Sequence, residues 1–249
     1  MQGISFEKTT EFMAQMLPYL WVTFQYVLLS LFFGGILAFA LTLMKLSGSR
    51  VLRAIAYAYT TVLRCLPSVT LLFLVYFLLP ALFRTYLGIN LNGYSVMLFV
   101  VVTFSMFLGA FLSEVMRASY LAVSKEQREA ALSIGLTGAQ TFRRIILPQA
   151  FYYSIPNLGN TVIYLMKDGA LGFTIGFVDL MGKAYLLNSN TYGTHVMDIY
   201  LGVALIYWVS SALIEFGFHR LEKRFSILKS NKKRRFLSCN AEGAVRFES

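Results

Sequence analysis

No Lys, Arg, Asp or Glu occurs between Glu11 and Lys45. About 20 mostly apolar residues suffice to cross the hydrocarbon core of a bilayer as a helix, and a water-soluble domain rarely leaves so long a run uncharged. A first span is therefore predicted near residues 19–41. The same reasoning gives a second near 62–82, after the loop LSGSR and interrupted by Arg64 and Pro67. A third, near 92–113, lies inside the uncharged run from Thr85 to Ser113. A fourth, near 149–169, starts at Pro148 and reaches Lys167-Asp168, and a fifth covers 197–218 with Asp198 and Glu215 near its ends. Composition agrees, with 57% hydrophobic residues, 14% charged and a mean hydropathy of +0.62, where a soluble domain is about a quarter charged. The expected class is an all-α polytopic membrane protein of five transmembrane helices. Disordered chains, coiled coils, disulfide scaffolds and ordinary soluble enzymes are excluded.

The net charge of +10 gains meaning from its placement. Lys45, Arg50, Arg53 and Arg64 lie around the first loop, and Arg117, Lys125, Arg128, Arg143 and Arg144 lie between spans three and four. Nine more lie between Arg220 and Arg246. Only Lys8, Arg84, Lys183 and the intramembrane Lys167 fall elsewhere. Basic loops stay on the cytoplasmic side, so the N-terminus is expected outside and the C-terminus inside, with residues 1–18 extracytoplasmic. The tail 221–249 has lost the apolar pattern; it is expected to rest on anionic membrane lipid or to lack structure, with no nucleic-acid role. The N-terminal MQGISFEKTTEF does not read as a cleavable signal. Cys65 and Cys239 sit in dissimilar surroundings and make no disulfide framework, and His195 and His219 make no metal site.

Residues 124–147, between spans three and four, are polar without being loop-like. Ser124 with Gln127 three residues later reads as a capping box, and Ala130, Ala131 and Ile134 form a small apolar face at helical spacing. Gly135 to Gly138 breaks this helix. Thr137 caps a second over Ala139–Ile146, and Pro148 ends or redirects it. Such an element either slots into a partner's groove or lies on the bilayer as an amphipathic connector.

Glu129-Ala130-Ala131, three residues, Gly135, nine residues, then Ile145-Ile146-Leu147-Pro148 resembles the EAA signature of ABC importer permeases. Glu114-Val115-Met116-Arg117, Leu147-Pro148-Gln149, the run Pro156 to Asn160 and Leu165-Met166-Lys167-Asp168 resemble the polar amino-acid uptake branch. Val62-Leu63-Arg64-Cys65-Leu66-Pro67 resembles that branch's F-R-G-T-P-L-L element, with Cys-Leu for Gly-Thr. Gly169-Ala170-Leu171 stands where the branch has Thr-Ser-Leu. The resemblance spans about residues 19–220. It implies a type I ABC importer permease fold in the cell membrane of a bacterium and import of a polar, cationic or cystine-type amino acid. It also implies a second permease subunit, same or related, cytoplasmic ABC ATPases that bind the ATP, and an extracytoplasmic solute-binding protein. No cofactor is expected on this chain, which carries no GxxxxGK[ST] loop.

Glu129, Ala130, Ala131, Gly135 and Leu136 are then the expected ATPase-coupling residues. Arg64, Glu114, Arg117, Lys167 and Asp168 are the candidates for the substrate pathway, since intramembrane charges face protein or water. Each has a plainer reading: Arg64 snorkels to the inner surface, Glu114 and Arg117 pair one turn apart, and Lys167-Asp168 marks the outer end of span four. Gly34-Gly35 reads as a close helix contact, and Asp198 and Glu215 as solvated or paired near an interface. An ion-gradient carrier or channel is the competing class, but the repeated halves common in carriers are not apparent. An intramembrane enzyme lacks any catalytic constellation.

Overall fold

The structure is a computed structural model that describes residues 5–91 and 93–245, with side chains as far as residue 224. Nine helices account for most of the described residues: α1 Phe6–Met16, α2 Tyr19–Leu46, α3 Arg50–Cys65, α4 Ser68–Leu87, α5 Val96–Leu121, α6 Lys125–Ser133, α7 Gly138–Ile175, α8 Leu180–Asn190 and α9 Val196–Val245. Among them α2, α4, α5 and the Val196–Arg224 part of α9 are each long and apolar enough to cross a membrane. α7 and α8, bent by 46° across residues 176–179, together meet the same test.

α5 is the central helix, with two thirds of its most apolar stretch buried against a third or less in the other long helices. Its partner along most of its length is α2. A Cβ at Gly34 would stand 2.9 Å from Leu108 Cβ, and one at Gly109 would stand 2.7 Å from Leu37 Cδ2. Ala38 and Ala110 are also fully buried. Small residues let the two backbones approach as helices do in lipid. Outward, α2 exposes Leu28, Phe32, Phe33, Ile36 and Phe39, and α9 exposes Leu201, Leu205, Trp208, Leu213 and Phe216, surfaces that only hydrocarbon or another apolar chain can cover.

Three clusters hold the rest. The first joins α2, α4, α5 and α7 around Tyr26, Leu72, Phe104, Leu165 and Met166. The second joins α1 (Phe12, Met16), α8 (Leu180, Leu187) and α9 (Ile199, Ile206). In the third, Leu63 of α3 meets Leu71 and Val75 of α4 and Phe107 of α5.

Several expectations are corrected. The second apolar stretch is two helices: residues 62–65 belong to the amphipathic α3, extended Leu66 and Pro67 break the chain, and the span begins at Ser68. Pro67 disfavours helix at Leu66 and lacks the N–H that would continue it, so Arg64 sits in the last turn of α3 and outside the span. Pro148 does not end its helix. A π-helical turn, Phe142–Ile146, precedes it and the helix runs on through Leu147–Asp168; widening the backbone there accommodates the proline's missing N–H and its ring. The tail is helical in backbone through Val245, and its contact with lipid concerns side chains outside the described residues.

The glycine pair splits cleanly. Nothing lies within 4 Å of a Cβ at Gly35. Gly34→Ala is expected to cost about 1–3 kcal/mol by overpacking and Gly35→Ala within about 0.5, as read from thermal unfolding in detergent.

Candidate functional site

The nominated residues fall into two groups, one where α5 leads into α6 and one running from the end of α3 to the end of the long helical part of α7. Ser124 stands before α6 but makes no cap to its backbone; its hydroxyl donates to Glu126, while Gln127 is taken by the Gln149 amide of α7. The expected capping box is therefore absent at Ser124 and present at Thr137. There the Thr137 hydroxyl accepts from Gln140 N–H at 3.3 Å and the Gln140 side chain accepts from Thr137 N–H at 2.9 Å. Between them Gly135 adopts φ +85°, a left-handed cap that a Cβ would strain. Its N–H reaches Leu132 O, and Leu136 N–H reaches Ala131 O.

The apolar face of α6 is not one face. Ala131 turns inward and is buried, whereas Glu129, Ala130 and Ile134 point outward, Ile134 at 78% exposure. Adjacent residues along a helix diverge by about 100°, so Ala131 packs inward while Ala130 stays outside, and Ile134, at the cap where the helical backbone ends, is exposed as well. The segment thus has a packed side and a free apolar side. Leu136 is half-buried in the turn. Beside it lies an open groove of about 420 Å³ lined by Ala139, Gln140, Arg143 and Arg144.

Glu114 and Arg117 pair locally, with Arg117 Nη2 at 2.8 Å and Nε at 2.9 Å from Glu114 Oε2. A third member is new. The fully buried ammonium of Lys45 lies 2.7 Å from Glu114 Oε1, donates to Ser113 Oγ at 2.7 Å and stands 5.6 Å from the Tyr57 ring centroid. The cluster ties α2, α3 and α5 together just before α6. Lys45 reads in sequence as an ordinary basic loop residue, since no local signal announces a partner 69 positions away.

The second group surrounds the end of the long helical part of α7. Asp168 is half-buried and accepts from Ser68 Oγ at 3.1 Å, while its Oδ2 is buried without a hydrogen bond. Lys167, next along the helix, is exposed on another side. Tyr164, one turn before Asp168, stacks on Phe107 at 6.4 Å and 17°; Phe107 meets Phe111 at 4.6 Å; and the Arg64 guanidinium lies 5.4 Å from the Phe111 centroid. A ladder of rings thus separates a cation at the end of α3 from a carboxylate at the end of α7. Arg64, Asp168, Ser68 and the rings come together along this line, and Glu114 and Arg117 belong to the Lys45 cluster.

Tyr26 is the other residue that sequence reasoning passed over. Its buried hydroxyl donates to Leu165 O at 3.1 Å and Met166 O at 3.0 Å. A Cβ at Gly169 would stand 1.9 Å from that hydroxyl. The glycine at 169 and the tyrosine at 26 therefore require each other. Its only sequence trace was the departure from Thr-Ser-Leu.

Comparisons with known proteins bear on the whole arrangement. The family described as binding-protein-dependent transport system inner membrane component matches residues 30–227. The chain is 35% identical over 224 residues to the L-cystine transport system permease protein TcyL of Bacillus subtilis (strain 168), covering 90% of this chain and 91% of that one. It is 34% identical over 210 residues to the arginine transport system permease protein ArtQ of the same organism, covering 84% and 90%. Among solved structures, an amino acid ABC transporter crystallised with histidines is similar at a TM-score of 0.78 and 28% identity, over 90% of this chain and all of that one.

The buried ion cluster generates a stability prediction. Removing one member of a buried pair strands the other's charge, whereas exposed pairs contribute little. Lys45→Met is expected to cost about 2–3 kcal/mol, below the usual 3–5 for a buried pair because Arg117 still faces Glu114. Arg117→Met should cost under about 1 kcal/mol. Unfolding curves of both variants in the same detergent check the order.

Proposed function

The chain belongs to the family of binding-protein-dependent transport system inner membrane components, and on that premise we propose how its parts divide the work of an ATP-driven amino-acid importer. It is the permease subunit. A second permease, the same or a related chain, completes the pathway, and ABC ATPases on the cytoplasmic side supply the power stroke. It lies in the cell membrane of a bacterium with five spans, counting α7 and α8 as one broken span. The concentration of basic residues toward α3, α6 and the tail supports a cytoplasmic C-terminus and an outer N-terminus.

The observation that carries the coupling role is the outward side of α6 with its glycine cap. Glu129, Ala130 and Ile134 are free, while Ala131, the Gln127–Gln149 contact and the Thr137 cap fasten the segment to the spans. A push on α6 is delivered to α7 through these links. Gly135 and Leu136 keep α6 and α7 at a set angle.

The ladder from Arg64 to Asp168 is the reading favoured for substrate. An amino acid carries a carboxylate and an ammonium, and a substrate moving along the ladder meets the complementary charges in turn, Asp168 at one end and Arg64 at the other, with an apolar wall between. The half-buried Asp168 carboxylate, flanked by the hydroxyls of Ser68 and Tyr164, is the acceptor on offer for the ammonium. Lys167 faces away and serves the second permease or the pathway from the other side. The names of relatives point to cystine and arginine among the amino acids such permeases carry.

Uptake by proteoliposomes holding the permease, its ATPase and its binding protein tests both assignments. Gly135→Arg is expected to abolish ATP-linked uptake while the protein still inserts; normal uptake with bound ATPase would remove the coupling role from α6. Asp168→Asn should reduce uptake about tenfold or more, the loss of one charged contact, and Lys167→Met less. If Asp168→Asn and Lys167→Met both transport normally at matched expression, the pair marks a helix end and substrate passes elsewhere. Uptake by the permease alone under an ion gradient would point instead to a carrier.

A further inference from the structure

Two helices of this chain end in the same backbone motif with opposite choices of residue. α6 ends on Gly135 at φ +85°. α8 ends on Tyr192 at φ +50°, whose N–H bonds to Ser189 O at 3.1 Å while Gly193 N–H bonds to Asn188 O at 3.0 Å. Tyr192 is the one non-glycine residue at positive φ among the described residues. Glycine ordinarily holds such a cap because a Cβ there crowds the neighbouring carbonyl. A tyrosine is unfavourable for the turn, so its ring has a use other than making the turn.

That use lies outside this chain. Tyr192 is 95% exposed, more than any other large apolar or aromatic side chain among the described residues. The platform beneath it is firmly built. Thr191 Oγ1 donates to Leu187 O and Asn188 O, and Thr194 Oγ1 donates to Thr191 O. His195 Nδ1 lies 3.2 Å from Asp198 Oδ2 and its Nε2 lies 3.1 Å from Lys8 Nζ; Asp198 also accepts from Ser5 N–H at 2.9 Å. The loop is thereby braced against α1, at the end of the bundle away from α6.

The chemistry around the ring narrows the partner. Residues 184–194 carry no charge, and Ser189, Asn190 and Thr194 are exposed beside the tyrosine. An anionic lipid surface is recognised through clusters of Lys and Arg; residues 184–194 hold none, and the single Lys8 that reaches the loop lies against His195. A tyrosine at a membrane interface needs no left-handed backbone. A tyrosine set among Ser, Asn, Thr and Gly is the composition of protein-binding loops such as antibody paratopes, where the ring is the anchor and the small polar side chains adapt around it.

We propose that Tyr192, with Ser189, Asn190 and Thr194 around it, is a docking contact for the soluble binding protein that delivers substrate, its ring entering a shallow uncharged pocket on that protein. The inference rests on the importer reading. Tyr192→Gly separates the two roles of the residue, because it eases the backbone and deletes the ring. The assembled permease and ATPase in lipid nanodiscs are titrated with the amino-acid-binding protein, reading the concentration that half-maximally stimulates ATP hydrolysis. The glycine variant should need about tenfold more binding protein, at low and high salt alike, with basal hydrolysis and thermal stability not reduced. Tyr192→Phe should shift it much less. Half-maximal stimulation at the wild-type concentration in Tyr192→Gly would overturn the docking contact and leave the importer reading intact. A wild-type assembly that no amount of binding protein stimulates would overturn both.

Discussion

Everything in this bundle hangs on the seam between α2 and α5. In lipid, an apolar side chain gains little by leaving hydrocarbon for protein, so helices associate through close backbone approach and buried polar links. The seam supplies both. Gly34, Ala38, Gly109 and Ala110 let the helices meet, Thr42 Oγ1 reaches Ser113 O across the interface at 3.2 Å, and Lys45 closes its end on Glu114. The other elements then dock on a fixed pair. Tyr26 of α2 holds the carbonyls of Leu165 and Met166, Tyr59 of α3 donates to Met106 O of α5, and Gly159 of α7 makes room for Phe218 of α9.

Two of the helices beside the candidate sites depart from regular geometry. α4 and α7 each contain a π-helical turn, Leu74–Leu78 and Phe142–Ile146, and each turn ends two residues before a proline, Pro80 and Pro148. A proline lacks the N–H of the regular ladder and crowds the carbonyl four residues back, and the wider turn accommodates it without breaking the helix. The turn in α7 sits directly after the capped coupling segment. The turn in α4 follows Ser68, the partner of Asp168. An irregular turn thus stands next to each of the two candidate sites.

What could be read from the residues alone was whatever repeats locally or stands out against grease. The long apolar helices α2, α5 and the first part of α9 were legible because their apolar runs are long. The helix–turn–helix between α5 and the long part of α7 was legible because Gly135 and the Thr137 cap act within a few positions of each other. Span two was misplaced because α3 is itself apolar enough to blur the break at Leu66-Pro67. Ser124 looked like a cap, but Gln127 had a better partner in Gln149, a competition invisible in the local pattern. Asp168 stood out by its charge. Its ladder of rings did not, since Phe107, Phe111 and Tyr164 are three aromatics among many.

The sequence by itself determined the environment, the helical class, the placement of charge and the short capped helix between α5 and the long part of α7, because hydropathy and capping are properties of neighbouring residues. Only the tertiary structure decided which side chains meet: Lys45 with Glu114, Tyr26 with the backbone beside Gly169, Ser68 with Asp168, and His195 with Lys8. Those pairs are separated by tens to nearly two hundred positions. The angles of the crossing helices, set by where a glycine admits a neighbour, bring them together.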